Sequence, residues 1–200
     1  MEITWLGESA LLLKGRDTRV LVDPAYQPGK TSSTGSFEVV VSSAGGENQL
    51  RPEQGPQVVA RQGEYELRGV SVRGVASGTG SGTVFVTEVD EVAICDFGEL
   101  PGALDVEVID ALGTINVLAV SLQQGSAQRA RELTNLISQL QPAVLIPVGY
   151  RASGDGSLGE LAPFAQEMGL AQVNPQPKLT LTGAPGISDE TRVVVLEARR

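Results

Sequence analysis

The sequence predicts one α/β domain, residues 1–200, with packed sheets rich in antiparallel strands and helices outside them. Three observations predict it. Short apolar runs separated by Gly and Pro turns fill the first half. A strand–helix–strand succession fills much of the second half. The composition is 41% apolar and 20% charged, with 24 Gly, 11 Pro and only 4% aromatics, which suits many short strands joined by turns.

EITWL (2–6), ALLLKG (10–15) and RVLVDP (19–24) read as short strands, with turns at Gly7 and at Gly15-Arg16-Asp17. Residues 27–36 are a polar loop. FEVVVS (37–42) is almost continuously apolar, as expected of a strand covered on both faces. A long surface loop follows over 43–57. QVVAR (57–61), YELRGVSVRGV (65–75), TVFVTEV (83–89) and EVAICDF (91–97) read as meandering strands. The alternation in YELRGVSVRGV breaks near Gly69 and Gly74, where a turn or bulge is expected. Asp90-Glu91 makes a hairpin turn.

INVLAVSL (115–122) is the next strand. The helix after it starts at Ser126 as its cap, places Ala130, Leu133, Ile137 and Leu140 on one face, and stops at Pro142. AVLIPV (143–148) is another buried strand, and 151–160 is a Gly-rich loop. A second helix covers 160–168, with Leu161, Phe164, Ala165 and Met168 inward and Gly169 ending it. Pro163 must then lie in its first turn. AQV, KLTLTG and RVVVLEA close the chain as strands.

The net charge of −9 leaves no basic stripe to displace counterions, so nucleic acid is not an expected partner, nor is an acidic membrane surface. No apolar run is long enough to span a bilayer, and MEITWLGES lacks the features of a signal peptide. One cysteine, Cys95, excludes an internal disulfide and fits a cytoplasmic location. The chain has no histidine. That removes the usual general base near neutral pH, Ser-His-Asp and Cys-His sites, and the familiar catalytic zinc sites.

Two glycine-rich stretches fail as phosphate sites. PGKTSS (28–33) has Pro24 where a phosphate loop needs its first glycine, and a polar loop follows it rather than a helix. GTGSG (78–82) opens a strand, so no helix N-terminus can hold a pyrophosphate there. Cys95 sits beside Asp96 in an apolar strand with no adjacent cation, as a buried structural cysteine would.

Four blocks taken in order carry a family resemblance: ITWLGESALLLKGRDTRVLVDP, EVVVSSAGGEN, TVFVTEVDEVAICDFGEL and LQPAVLIPVGYR. Together they resemble the metallo-β-lactamase fold, closest to its compact branch of metal-dependent hydrolases that includes L-ascorbate-6-phosphate lactonase-like proteins. The resemblance implies a four-layer αββα sandwich of two mixed sheets with outer helices. It also implies a metal site on the loops at one sheet edge. The T-H-x-H-x-D-H loop of the family falls on residues 42–48, with Ser43 and Gly45 at the first two histidines, Glu47 at the aspartate and Asn48 at the third histidine. Glu8 stands at a further histidine position, as does Gly78 or Thr79. DFGE carries Asp96, with Glu99 at the metal-bridging aspartate, and PVGY carries Gly149 at the last histidine beside Tyr150.

With every imidazole replaced, no zinc is expected, and no catalytic residue is assigned. The favoured expectation is a degenerate, non-catalytic member kept for binding or assembly through a pocket formed by Glu8, Ser43, Gly45, Glu47, Asn48, Asp96, Glu99, Gly149 and Tyr150. Its partner would be an unidentified protein, a small molecule or a second copy of the chain. The alternative is a hydrolase of a small ester, lactone or phosphoester on a rebuilt oxygen-ligand site, with Glu8, Glu47 and Glu99 weakly holding Mg²⁺, Mn²⁺ or Ca²⁺. A metal-free enzyme using crowded carboxylates as acid and base is the third reading.

Overall fold

A computed structural model describes residues 1–24, 36–43, 55–77, 82–97, 104–122, 127–150, 161–186 and 190–199. Strands β1 (Glu2–Gly7), β2 (Ala10–Lys14), β3 (Arg19–Val22), β4 (Val39–Val41) and β5 (Gln57–Val59) form the first sheet, joined near the C-terminus by β12 (Leu179–Thr180) in the order β12-β1-β2-β3-β4-β5. The second sheet holds β6 (Gly63–Leu67), β7 (Val70–Ala76), β8 (Thr83–Val89), β9 (Val92–Asp96), β10 (Val117–Ser121), β11 (Val144–Val148) and β13 (Arg192–Val193), ordered β13-β11-β10-β9-β8-β7-β6. Both sheets are mixed: β1–β2–β3 and β6–β7–β8–β9 are antiparallel, while β3–β4–β5 and β9–β10–β11–β13 are parallel.

Parallel neighbours need crossovers, and helices supply them. Helix α1 (Val106–Leu112) joins β9 to β10, α2 (Ala127–Leu140) joins β10 to β11, and α3 (Leu161–Glu167) follows β11 and packs on α2. This is why all five residues of β9, β10 and β11 are buried, whereas β7 alternates buried and more exposed positions. Leu133, Leu136 and Ile137 form the buried stripe of α2. Between the sheets lie Ile3, Trp5, Leu11, Leu13, Phe85 and their neighbours in one continuous core.

The expected α/β sandwich of two mixed sheets is therefore present, with three local differences. The break at Gly69 is a full turn: Arg68 and Gly69 both have positive φ, 51° and 74°, and the chain returns as β7 from Val70. Helix α1 is a second difference, with no helix expected between the strands at 91–97 and 115–122. AQV is not a strand, and RVVVLEA is strand only at Arg192–Val193, because the C-terminal segment crosses between the sheets. Val194 donates to Leu145 of the second sheet, and Arg199 donates to Trp5 of the first. Residues 28–33, 44–48, 78–81, 99 and 126 lie outside the described residues, so the readings of the PGKTSS and GTGSG loops and of the Ser126 cap find no structural counterpart here.

Candidate functional site

Register places the relevant positions at one end of the sandwich. In the first sheet β1, β3, β4 and β5 all point the same way, and their tips carry Gly7-Glu8, Asp23 and Ser42-Ser43. In the second sheet β7, β9, β10 and β11 end at Ser77, Asp96, Ser121 and Gly149-Tyr150. The two rows meet at Asp23 and Asp96, whose carboxyl groups interact across the sheets.

Asp23 is 7% exposed and Asp96 is 3% exposed. The Asp23 backbone has φ +41° and donates to the Val41 carbonyl at 2.8 Å, which turns the chain sharply off the strand tip. Its carboxylate accepts from both the backbone N–H and the hydroxyl of Ser43. Its carbonyl accepts from the Ser9 hydroxyl at 3.3 Å. Asp23 thus ties together the tips of β1, β3, β4 and β9. Burial pushes its pKa above the ordinary 3.8; the Ser43 hydroxyl, the Ser43 amide and Asp96 oppose that rise.

Glu8 sits in the tight turn after β1 with φ +48°, and its carbonyl accepts from the Trp5 indole at 2.8 Å. Gly149 has φ +65°, the left-handed conformation that its lack of a Cβ allows. Tyr150 stacks on Trp5 with ring centroids 4.6 Å apart and donates its hydroxyl to the Leu196 carbonyl. Burial, with Glu197 adding to it, pushes the Tyr150 phenol up to about 12, so it is no acid or base near neutrality. Cys95 precedes Asp96 on the strand and so faces the opposite side of the sheet. Burial, and then the Asp96 charge, push its thiol well up, as a structural cysteine requires.

Of the sequence-derived positions, the structure brings Glu8, Ser43, Asp96, Gly149 and Tyr150 to this end; Gly45, Glu47, Asn48 and Glu99 lie outside the described residues. Asp23, Ser77 and Ser121 are additions. Ser77 is 1% exposed, and its hydroxyl has no hydrogen-bond partner among the described residues. Asp23 had one usable signal: in RVLVDP an apolar run stops at an acid just before a proline. The serines had none.

Zinc prefers nitrogen and sulfur donors. The buried donors at this end are carboxyls and hydroxyls, and both Asp23 oxygens are already engaged by Ser43. Among the described residues no three of His, Cys, Asp and Glu come together as a metal-binding group. Among the described residues, the donors at this end do not match zinc's preference. No described helix is long and apolar enough to cross a membrane.

Residues 2–149 match the family model described as the beta-lactamase superfamily domain. A protein of Agrobacterium fabrum named as a metal-dependent hydrolase is 26% identical, over 81% of this chain and 79% of its own length. A crystal structure from Thermotoga maritima, described as a Zn-dependent hydrolase of the metallo-β-lactamase superfamily, superimposes with a TM-score of 0.77 at 25% identity over 98% of each chain. A metallo hydrolase of Ignicoccus hospitalis shares the fold, with a TM-score of 0.62 at 15% identity over 90% of this chain and 99% of its own.

Proposed function

The chain belongs to the β-lactamase superfamily, and we propose that it uses the family's strand-end pocket to bind rather than as a zinc hydrolase centre. The observation that carries this reading is the Asp23–Ser43–Asp96 cluster in a chain without histidine. Asp23 is spent on holding the strand tips together through Ser43, and no imidazole is present to activate water. The occupant would be a protein partner, a small molecule or a second copy of the chain, met in the cytoplasm.

The test is elemental analysis of protein as purified, joined to hydrolysis assays on lactones, phosphodiesters and thioesters before and after chelator dialysis. The expected result is zinc far below one equivalent and no turnover above the blank. A transition metal at full occupancy with chelator-sensitive hydrolysis overturns the reading.

The names of the relatives favour a second reading, a metal-dependent hydrolase; in this histidine-free chain its metal would rest on oxygen ligands. Asp96, at the tip of β9 among buried hydroxyls, is the carboxylate best placed for it, with Glu8, Glu47 and Glu99 as further candidates. A hard cation bound there would lower the pKa of a coordinated water. Calorimetric titration with Mn²⁺ and Ca²⁺ decides: silence at millimolar metal ends this second reading.

A further inference from the structure

The opposite end of the sandwich carries a separate cavity of about 470 Å³. It opens between the two short edge strands β12 and β13, which belong to different sheets. β12 pairs with the beginning of β1, whose far end bears Glu8, and β13 pairs with the beginning of β11, whose far end bears Gly149. The volume falls in the range of small-molecule sites.

One wall comes from the stretch QVNPQPKLT, residues 172–180. Gln172, Asn174, Gln176 and Lys178 recur every second residue and line the cavity, and Pro175 and Pro177 stand between the last three. Each proline fixes its own φ and holds the residue before it extended, so the polar side chains are pre-set on this wall. The wall is anchored as well: Gln176 donates its backbone N–H to Val195 at 3.0 Å and accepts from Glu197 at 2.8 Å. Lys178 is fixed by Glu2 at 2.7 Å. Arg192 lies on the facing wall, its backbone held by the Ala143 carbonyl at 3.0 Å. Buried Leu179 and Val195 supply an apolar floor.

The lining holds three carboxamides and two cations, of which Lys178 is paired with Glu2 and Arg192 lies across the groove from it. Arg192 thus gives the groove its positive charge, and a local positive charge attracts anions. A guanidinium fork suits oxyanions, and carboxamides suit a hydroxylated or amidated body. An added peptide strand is a poor occupant, because Pro175 and Pro177 have no N–H to offer a ladder.

We propose that this groove is a binding site for a small organic oxyanion, a phosphate monoester or a carboxylate, clamped by Arg192 and oriented by Gln172, Asn174 and Gln176. The proposal is independent of what the strand-end pocket does. The test is NMR titration of the full chain, reading the Arg192 side-chain N–H and the Gln172, Asn174 and Gln176 side-chain amides. The probes are inorganic phosphate, glucose 6-phosphate, citrate and, as neutral control, glucose. Saturable shifts confined to those resonances with glucose 6-phosphate or citrate, and none with glucose, are expected; which of the two binds tighter identifies the oxyanion. Arg192→Gln should weaken that binding about tenfold or more, and Lys178→Gln less. No saturable shift up to about 10 mM of any anion, equal binding by Arg192→Gln, or shifts scattered over the surface would overturn it.

Discussion

The two ends of the sandwich use polar residues in opposite ways. At the strand-tip end they are buried: Asp23 engages Ser43 and interacts with Asp96, and Ser42, Ser77 and Ser121 are buried at other strand tips. At the other end Gln172, Asn174, Lys178 and Arg192 are exposed around an open groove. Polar groups at the first end hold the sheets in register, so removing one leaves its partner buried without compensation. Polar groups at the second end touch water, so their loss costs the fold little. The strand-tip end is thus essential to the architecture, whatever it binds.

The sharpest way to break this contrast is Asp23→Ala. It strands the Asp96 carboxyl and the Ser43 amide in the interior and should cost about 3–5 kcal/mol. Chemical denaturation measures it, and a cost under about 1 kcal/mol would mean the cluster is not holding the sheets together. Gly74→Ala is the next largest. Gly74, Phe85 and Asp96 are consecutive partners on one rung of the second sheet. A Cβ at Gly74 would come within 2.7 Å of the Arg61 carbonyl and 2.8 Å of the Phe85 ring. The ring or the strand must shift, for a loss of about 1–3 kcal/mol in the same assay.

Asp23→Asn sharpens the comparison through pH. The Asp23 pKa is raised in the folded protein, so the folded state holds that proton more tightly than the unfolded chain does. Its favourable contribution is complete below the unfolded value of about 4 and is lost as pH rises through the raised folded value. Asparagine cannot titrate. Wild type minus Asp23→Asn stability should therefore fall as pH rises above about 4 and through the raised folded value, and then level off. Urea midpoints across that range check it; a difference that stays flat or rises would place the proton elsewhere.

Strands and helices α2 and α3 were legible because periodicity reports burial directly. FEVVVS and AVLIPV read as doubly covered strands, and β4 and β11 are fully buried. Helix α1 was not legible: Val106, 66% exposed, blurs the apolar stripe of Val108 and Leu112. The C-terminal path was not legible either, since no local pattern tells a chain to leave one sheet for the other. At the site, Glu8, Ser43 and Asp96 were readable as positions within ordered blocks. That Asp96 meets Asp23 was not, because the contact joins different sheets and its cause is the packing of both. The serines that complete the cluster differ in nothing local from serines on any surface.

The smallest expected effect probes the open end. Arg192 is exposed, and its backbone hydrogen bond to Ala143 survives a change of side chain. Arg192→Gln should therefore alter stability by no more than about 0.5 kcal/mol in denaturation without added anion. With glucose 6-phosphate or citrate present, wild type should gain stability by mass action, and Arg192→Gln should gain less at the same concentration. This separates a residue that serves a ligand from one that serves the fold, which is the distinction between the two ends. If Arg192→Gln instead unfolds the protein as readily as Asp23→Ala, the groove is a structural seam, and the contrast between the ends disappears.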